Sequence, residues 1–387
     1  MLTLLRQARI VLPDHVLESG ALLIDEGRIA RIITSASTDS PQTDLVIDLN
    51  GATLYPGFID LHIHGAVGVD TNNAGATDLL RVSEFLANHG VTAWLLTLVP
   101  GPPEQYQAAI TAVGEVMQQQ KADAARSRGA RVLGVHYEGP FVNSEQCGAL
   151  HREHFRIFKS AGDLDSLPTI RSTRAVHMMT LAPEIEGGVE LIRELRARGW
   201  IVSIGHTRAT PEILDQAKAA GAQHMTHFMN AMSPLHHRAP GPVGWGLLND
   251  DVTLDVIADG IHLDPMMLKV LLRCARPSRL ALISDAIAAT GLGDGEYEIW
   301  NEQISVENGR TRNAHGSIAG SVITMLDAFK MMLSLGASEC DVARMTSLNP
   351  ARLLGIDSDC GSIEEGKRAD LVAIDQRGKV NMSLVNG

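Results

Sequence analysis

The feature of this sequence that most constrains its fold is a series of eight short apolar runs, each followed by a longer segment. Runs of this kind suit buried parallel strands, because a strand covered on both faces has no reason to alternate apolar and polar residues. The runs are GFIDLHIH (57–64), VTAWLLTLV (91–99), RVLGVHYE (131–138), AVHMMTLA (175–182), IVSIGH (201–206), QHMTHF (223–228), TLDVIAD (253–259) and LALISD (280–285). Eight strand-plus-crossover units predict a (β/α)8 barrel, with a doubly wound open sheet as the competing α/β topology.

Helical patterns occur in several of the segments between these runs. They predict helices at Thr77–His89, Pro103–Ala125, Glu186–Arg198, Pro211–Ala220 and Pro265–Ala275, and a further helix from near Ser321. The two ends of the chain instead alternate apolar and polar residues with turn signals between them, which is typical of short strands. We therefore predict a small β-sandwich domain built from residues 1–54 and 355–387, beside a catalytic barrel of residues 55–354.

Composition excludes several functional classes. A hydrophobic share of 45% and a charged share of 20% are ordinary for a soluble globular protein, and a formal charge of −12 disfavours nucleic acid or an anionic membrane as a partner. Arg6 and Arg9 interrupt the apolar N-terminus, which disfavours a signal peptide, and no apolar run is long enough to span a bilayer. Four scattered cysteines without a CxxC pair indicate reduced thiols, so we expect a cytoplasmic protein.

Six polar residues fall at or near the carboxyl ends of the predicted strands, where barrel enzymes place their active sites. They are four histidines and two carboxylates: His62, His64, Glu138, His206, His227 and Asp285. Imidazole and carboxylate are ligands that Zn²⁺, Fe²⁺ and Mn²⁺ accept, so the set suffices for one or two divalent metals.

A lone histidine at a strand end is more often a hydrogen-bonded core residue than a ligand, and a single HxH pair gives about even odds. The carboxylates change the balance, since an ionised Glu138 or Asp285 at the end of an apolar strand is costly unless it is paired or bound to a metal. Asp285 is the predicted proton shuttle beside a metal that polarises a carbonyl and acidifies water. His136 is a candidate hydrogen-bond partner of the ligands, whereas His177 and His224 are assigned to the core or to a supporting role.

Several motifs resemble the amidohydrolase superfamily and, within it, the N-acetylglucosamine-6-phosphate deacetylase family, from about Gly51 to Gly366. They are PGFIDLHIHG, HYEGPF, IGHT, THFMNAM and LISDA. The resemblance implies a core metal site of Glu138, His206 and His227, and Asp285 as the catalytic acid–base. Because both first-strand histidines are kept, it also implies a second metal, with one or two divalent ions per chain. Zinc is favoured, and iron, manganese and cobalt are alternatives.

The resemblance extends to substrate-binding segments. MNAMSPLHHRAPG, ADGIHLD and GSIAGS match the family's sugar-phosphate contacts. One departure is CGALHREHF, where the family's carbonyl-polarising histidine would align with Leu150, so that His151 is expected to serve instead. The substrate-binding residues so implied are Ala149, His151, Asn230, Ala231, Arg238, His262, Ile318, Ala319 and Gly320.

The implied reaction is hydrolysis of the acetamide of N-acetyl-D-glucosamine 6-phosphate to D-glucosamine 6-phosphate and acetate, and the family implies a homodimer. A deacetylase for the galactosamine epimer would use the same metal and acid–base residues. A cyclic-amide hydrolase of the dihydroorotase kind is disfavoured, because the fourth run, AVHMMTLA, has no lysine. A metal-binding barrel without catalysis is disfavoured by Asp285, which such a protein would not need.

Overall fold

The computed structural model describes residues 1–34, 42–122 and 129–386. In chain order the strands are β1 (Leu2–Val11), β2 (Val16–Asp25), β3 (Arg28–Thr34), β4 (Leu45–Asp48), β5 (Thr53–Pro56), β6 (Phe58–Ile63), β7 (Gly65–Ala66), β8 (Val69–Asp70), β9 (Val91–Leu98), β10 (Arg131–Glu138), β11 (Val176–Leu181), β12 (Ile201–Ile204), β13 (His224–Met225), β14 (Thr253–Ile257), β15 (Leu280–Ile283), β16 (Gly295–Ile299), β17 (Glu302–Glu307), β18 (Arg310–Asn313), β19 (Leu371–Ile374) and β20 (Val380–Leu384). The helices are α1 (Ala76–Asn88), α2 (Pro103–Ala122), α3 (Gly188–Ala197), α4 (Pro211–Ala220), α5 (Gly241–Leu248), α6 (Pro265–Cys274), α7 (Met325–Ser334), α8 (Glu339–Ala343) and α9 (Asn349–Leu353).

Eight parallel strands form one sheet in the order β15-β14-β13-β12-β11-β10-β9-β6. The two edge strands meet just beyond their ends, where the backbone N–H of Asp285 donates to the carbonyl of His62 at 2.9 Å and that of His64 donates to Ala286 at 2.8 Å. This closure confirms the predicted barrel and excludes the open doubly wound sheet. The strands are apolar on both sides because one side faces the barrel interior and the other faces the helices.

A second sheet is built from both ends of the chain, in the order β20-β19-β5-β1-β2-β3 with β4 paired to β1. The N-terminal and C-terminal parts pair directly, since β5 and β19 run antiparallel with Leu54 opposite Ala373. This sheet has its own apolar core, which includes Leu5, Leu22 and Leu371. The sheet thus joins the two chain ends, as the alternating pattern predicted.

The helices also differ from the predictions at some ends. The predicted start near Ser321 is wrong, because α7 begins at Met325 after Thr324, whose backbone N–H donates to Asp327 at 2.9 Å in a capping box. The last predicted residues of α2, 123–125, lie outside the described residues. In the part of the chain described by the structure, no helix combines the length and the apolar character needed to cross a membrane.

Candidate active site

The first group of site residues surrounds one oxygen of Glu138, the last residue of β10. Oε1 of Glu138 lies 2.9 Å from Nε2 of His206 and 3.0 Å from Nε2 of His227, and these two nitrogens are 3.0 Å apart. All three side chains are buried. Two imidazole nitrogens that face each other cannot both carry a proton there, whereas both can offer lone pairs to a cation.

The second group lies at the other oxygen of the same carboxylate. Oε2 of Glu138 is 3.4 Å from Nε2 of His64 and 3.7 Å from Nε2 of His62. These two nitrogens are 3.0 Å apart, and Oδ1 of Asp285 lies 3.2 Å from the first and 3.4 Å from the second. Glu138 therefore belongs to two three-residue groups, each able to hold a metal ion. The donor atoms fit one or two divalent cations, and Glu138 would be available to either position.

The charges of the cluster also favour a cation. Burial lowers the pKa of His62, but the negative charges of Glu138 and Asp285 outweigh burial and raise that pKa to about 9. Burial raises the pKa of Glu138, yet the neighbouring imidazoles, His62 first, hold it well below its usual range. Burial likewise acts to raise the pKa of Asp285, and the hydrogen bond with His64 and the charge of His62 lower it overall. Both carboxyl groups are therefore ionised at neutral pH, and the cavity attracts positive charge.

Three of these residues share an unusual backbone conformation. His206, His227 and Asp285 have φ of +47°, +32° and +51°. Each lies two residues beyond the end of its strand, since β12, β13 and β15 end at Ile204, Met225 and Ile283. The predicted runs counted all three as strand residues, which is wrong. A left-handed conformation costs a non-glycine residue about 1–3 kcal/mol, and such strain is commonly found at functional sites.

A chain of hydrogen bonds links the strands next to the cluster. Nδ1 of His136 donates to the carbonyl of Leu61 at 3.1 Å, so Nε2 accepts from the hydroxyl of Thr180 at 2.7 Å. Because each hydroxyl has one proton, Thr226 then donates to Thr180 at 2.6 Å and Ser203 donates to Thr226 at 2.5 Å. Burial lowers the pKa of His136 well below its usual value, so this ring is neutral. Both ring nitrogens of His136 are thus used by Leu61 and Thr180, so the prediction that His136 hydrogen-bonds a residue of the cluster is wrong.

Two buried carboxylates near the cluster were missed by sequence reasoning. Oδ1 of Asp255 accepts the backbone N–H of His227, and Oδ2 is 2.9 Å from Nε2 of His224. Asp60 accepts from Ser284 twice, from its hydroxyl at 2.5 Å and from its N–H at 3.2 Å, and so joins the first barrel strand to the last. A signal was present, since each aspartate lies in the interior of an apolar run.

The loops around the mouth bring several predicted substrate residues towards the cluster. Nδ2 of Asn230 is buried without a hydrogen-bond partner among the described residues. A Cβ added at Gly148 would lie 3.6 Å from Cε1 of His206 and 4.0 Å from Cβ of Ala231, so this glycine lies between the two. Ala149 packs with Ala319 in one apolar cluster. The loops that carry Gly148 and Ala231 therefore border the His206 side of the cluster.

Two further predicted segments are held in place, one by a hydrogen bond and the other by close backbone packing. Nδ1 of His262 lies 2.6 Å from Oδ2 of Asp259, which leaves Nε2 for a ligand. Segment 318–320, which contains Ile318, runs beside Asp285. Gly320 has φ of +55°, a Cβ there would lie 2.9 Å from the Asp285 carbonyl, and only glycine suits this position.

Two other predicted residues lie apart from the cluster. Nε2 of His151 is 3.0 Å from the carbonyl of Trp300, and Nδ1 is 3.3 Å from Glu153. Both nitrogens therefore face groups outside the histidine and glutamate cluster. Arg238 is exposed, with Nη1 2.7 Å from Nε2 of His237. Their roles stay predictions.

A parallel barrel with imidazole and carboxylate groups gathered at the carboxyl ends of its strands defines a class, the metal-dependent barrel hydrolases. The model of the amidohydrolase family matches residues 53–387, and the chain belongs to this family.

Individual relatives are similar over nearly the whole chain. The N-acetylglucosamine-6-phosphate deacetylase of Bacillus subtilis is 34% identical over 394 residues, covering 99% of this chain and 96% of the relative. The N-acetylgalactosamine-6-phosphate deacetylase of Escherichia coli O157:H7 is 35% identical over 381 residues, covering 96% and 98%. A mutant N-acetyl-D-glucosamine-6-phosphate deacetylase from Mycobacterium smegmatis, solved in complex with N-acetyl-D-glucosamine-6-phosphate, superposes with a TM-score of 0.87 at 31% identity, covering 100% of this chain and 98% of that one. The chain is thus similar both to a relative named for N-acetylglucosamine 6-phosphate and to one named for N-acetylgalactosamine 6-phosphate.

Proposed function

We propose that this protein hydrolyses the acetamide of N-acetyl-D-glucosamine 6-phosphate to D-glucosamine 6-phosphate and acetate. The observation that carries the proposal is the presence of two histidine pairs, His62 with His64 and His206 with His227, that both contact Glu138. Asp285 contacts the first pair. Relatives that share this barrel along its whole length deacetylate amino-sugar phosphates, according to their names.

Glu138, His206 and His227 would hold one divalent ion, and His62, His64 and Glu138 would hold a second. When bound, such ions polarise the amide carbonyl and acidify water. Proton transfer and substrate binding are carried out by side chains of the protein.

Asp285 is the proton carrier in this proposal. It is ionised in the resting site, so it can take the proton of the attacking water. It then donates that proton to the amine nitrogen as the C–N bond breaks, which prevents the expulsion of an unstable amide anion. Oδ1 of Asp285 lies 3.4 Å and 3.2 Å from Nε2 of His62 and His64, so the carboxylate is next to the residues that would hold the second ion.

The sugar phosphate would lie across the mouth. The unpartnered Nδ2 of Asn230 supports a role as donor to the substrate, since an unsatisfied buried donor costs about 1–3 kcal/mol. Nε2 of His262 would contact the sugar ring, and the exposed guanidinium of Arg238 would bind phosphate through two oxygens at once. The remaining contacts are assigned to Ala149, His151, Ala231 and 318–320.

The experiment is acetate release by the purified, metal-loaded protein from the 6-phosphates of N-acetylglucosamine and N-acetylgalactosamine, with dihydroorotate as a third substrate. The proposal expects the highest kcat/KM for the glucosamine compound. A higher value for the galactosamine epimer would reassign the substrate. Release from neither sugar, with metal bound, would refute deacetylation.

We further propose zinc as the metal, a homodimer and a cytoplasmic location. All four cysteines are free, which supports a reducing compartment. Leu235, on the same loop as Arg238, is 53% exposed, which supports a contact with a second copy. Metal analysis and light scattering test the first two statements.

A further inference from the structure

The barrel mouth carries an additional three-stranded antiparallel sheet, β16-β17-β18, inserted after the last barrel strand. The turn between β16 and β17 has two residues, Trp300 and Asn301, because Ile299 pairs with Glu302. Their φ values are +55° and +58°, as in a type I′ turn. Such turns favour asparagine and glycine, so a tryptophan here is locally unfavourable. A contact elsewhere must account for it.

The Trp300 ring makes that contact with the metal cluster. Its centroid lies 5.2 Å from that of His64, with the rings at 85°, an edge-to-face arrangement. It also packs against two apolar clusters, one containing Ile299 and Ala319 and the other containing Val99, Val142 and Leu150. The ring thus bridges loops that follow different barrel strands and contacts His64 of the cluster.

His64 depends on packing in a way that His206 does not. Nδ1 of His206 is fixed by the carbonyl of Gln146 at 2.7 Å. Nδ1 of His64 is buried with no hydrogen-bond partner in the described part of the chain. Metal-binding histidines usually rely on a partner at the second nitrogen to fix the ring. The His64 ring is instead held in its orientation by packing against the aromatic rings of Trp300 and His62.

We propose that Trp300 is a positioning residue, whose ring orients His64 and thereby sets the affinity of the second metal position, that of His62, His64 and Glu138. The inference rests on the proposed two-part metal site. It does not extend to the first position, because the Trp300 ring has no such contact with Glu138, His206 or His227.

The test is a titration of the metal-free full-length protein with Zn²⁺, followed by calorimetry, and with Co²⁺, followed by its visible absorption. In Trp300→Ala the second equivalent should bind about 10- to 100-fold more weakly, with the first unchanged. Trp300→Phe keeps an aromatic edge and should restore most of the affinity. Tyr297→Ala is the matched control, since Tyr297 packs on the same hairpin cluster without contacting His64 and should leave both equivalents unchanged.

Other outcomes overturn the inference. They are an unchanged second equivalent in Trp300→Ala, an equal loss of both equivalents, or a single equivalent in the wild-type protein. Should the alanine variant fail to fold, Trp300→Leu keeps apolar volume between the two clusters and must show the same selective weakening. A wild-type protein that binds two equivalents but releases no acetate would refute the proposed function and leave this inference standing.

Discussion

Charged groups meet both in the buried mouth of the barrel and at its partly buried junction with the terminal sheet, but their partners differ. At the junction each carboxylate meets an arginine. Glu339 accepts from Arg9 at 2.9 and 3.0 Å and from the hydroxyl of Tyr55 at 2.6 Å, and Asp370 accepts from Arg131 at 2.5 Å. At the mouth Glu138 and Asp285 meet only imidazoles, and in the described part of the chain no arginine or lysine pairs with either carboxylate.

The carboxylates at the junction, each paired with an arginine, stabilise the fold. The carboxylates at the mouth are instead available to a ligand. A carboxylate with an arginine partner is electrically complete, whereas carboxylates beside imidazoles gain their full counter-charge only from protons or a metal. Substitutions in the two regions should therefore affect different properties.

The largest expected effect is that of Asp285→Asn on catalysis. The amide cannot carry the proton from water to the amine, so we expect kcat to fall about 100- to 10,000-fold. The core metal ligands remain, so the first metal equivalent should persist. Steady-state kinetics and metal analysis on the same preparation check both statements. Full activity in this variant would remove Asp285 from proton transfer.

Asp370→Asn should have its main effect on stability instead. Arg131, partly buried at the junction, would lose its closest ion-pair partner, the buried Asp370, and breaking a fully buried pair costs about 3–5 kcal/mol, which is the upper bound here. Urea unfolding should show this loss, while kcat of the folded, metal-loaded enzyme stays near that of wild type. A large fall in kcat with unchanged stability would contradict the division between the two regions.

The barrel and the grouping of imidazoles and carboxylates at its mouth were predictable from the sequence because both rest on strong energetic signals. Eight apolar runs leave few topologies, and a carboxylate such as Glu138 at the end of an apolar strand requires a partner. The strand ends were not predictable, since the left-handed turns at His206 and Asp285 leave no mark on apolar periodicity.

The inserted sheet β16-β17-β18 contains one turn that the sequence predicts and one that it does not. Its second turn, Asn308-Gly309, carries a usable signal, because Glu307 pairs with Arg310 across an Asn-Gly pair. Its first turn, at Trp300, does not, because tryptophan is not a residue that this turn favours. The position of Arg238 on an exposed loop likewise depends on tertiary structure that periodicity does not encode.

Arg238→Ala tests the phosphate end of the mouth with a smaller effect. Loss of a charge-assisted contact should raise KM for the phosphorylated substrate about 10- to 100-fold with little change in kcat. Free N-acetylglucosamine lacks the phosphate, so its KM should not change. Equal increases for both substrates would place Arg238 outside the phosphate site.

The smallest effect is expected at Glu339, where pH provides the measurement. The hydrogen bond from Arg9 lowers the pKa of Glu339 below its usual value of 4.5, although burial opposes the shift. The stability from this pair is thus fully present above pH 4.5 and is lost as the pH falls through the lower pKa of the folded state. Glu339→Gln should be less stable than wild type at pH 7, by about 1 kcal/mol. That difference should shrink towards zero at acidic pH, where wild-type Glu339 is itself protonated, and thermal melts of both proteins across this range measure it. A difference that does not depend on pH would mean that Glu339 stabilises the junction by packing rather than by its charge.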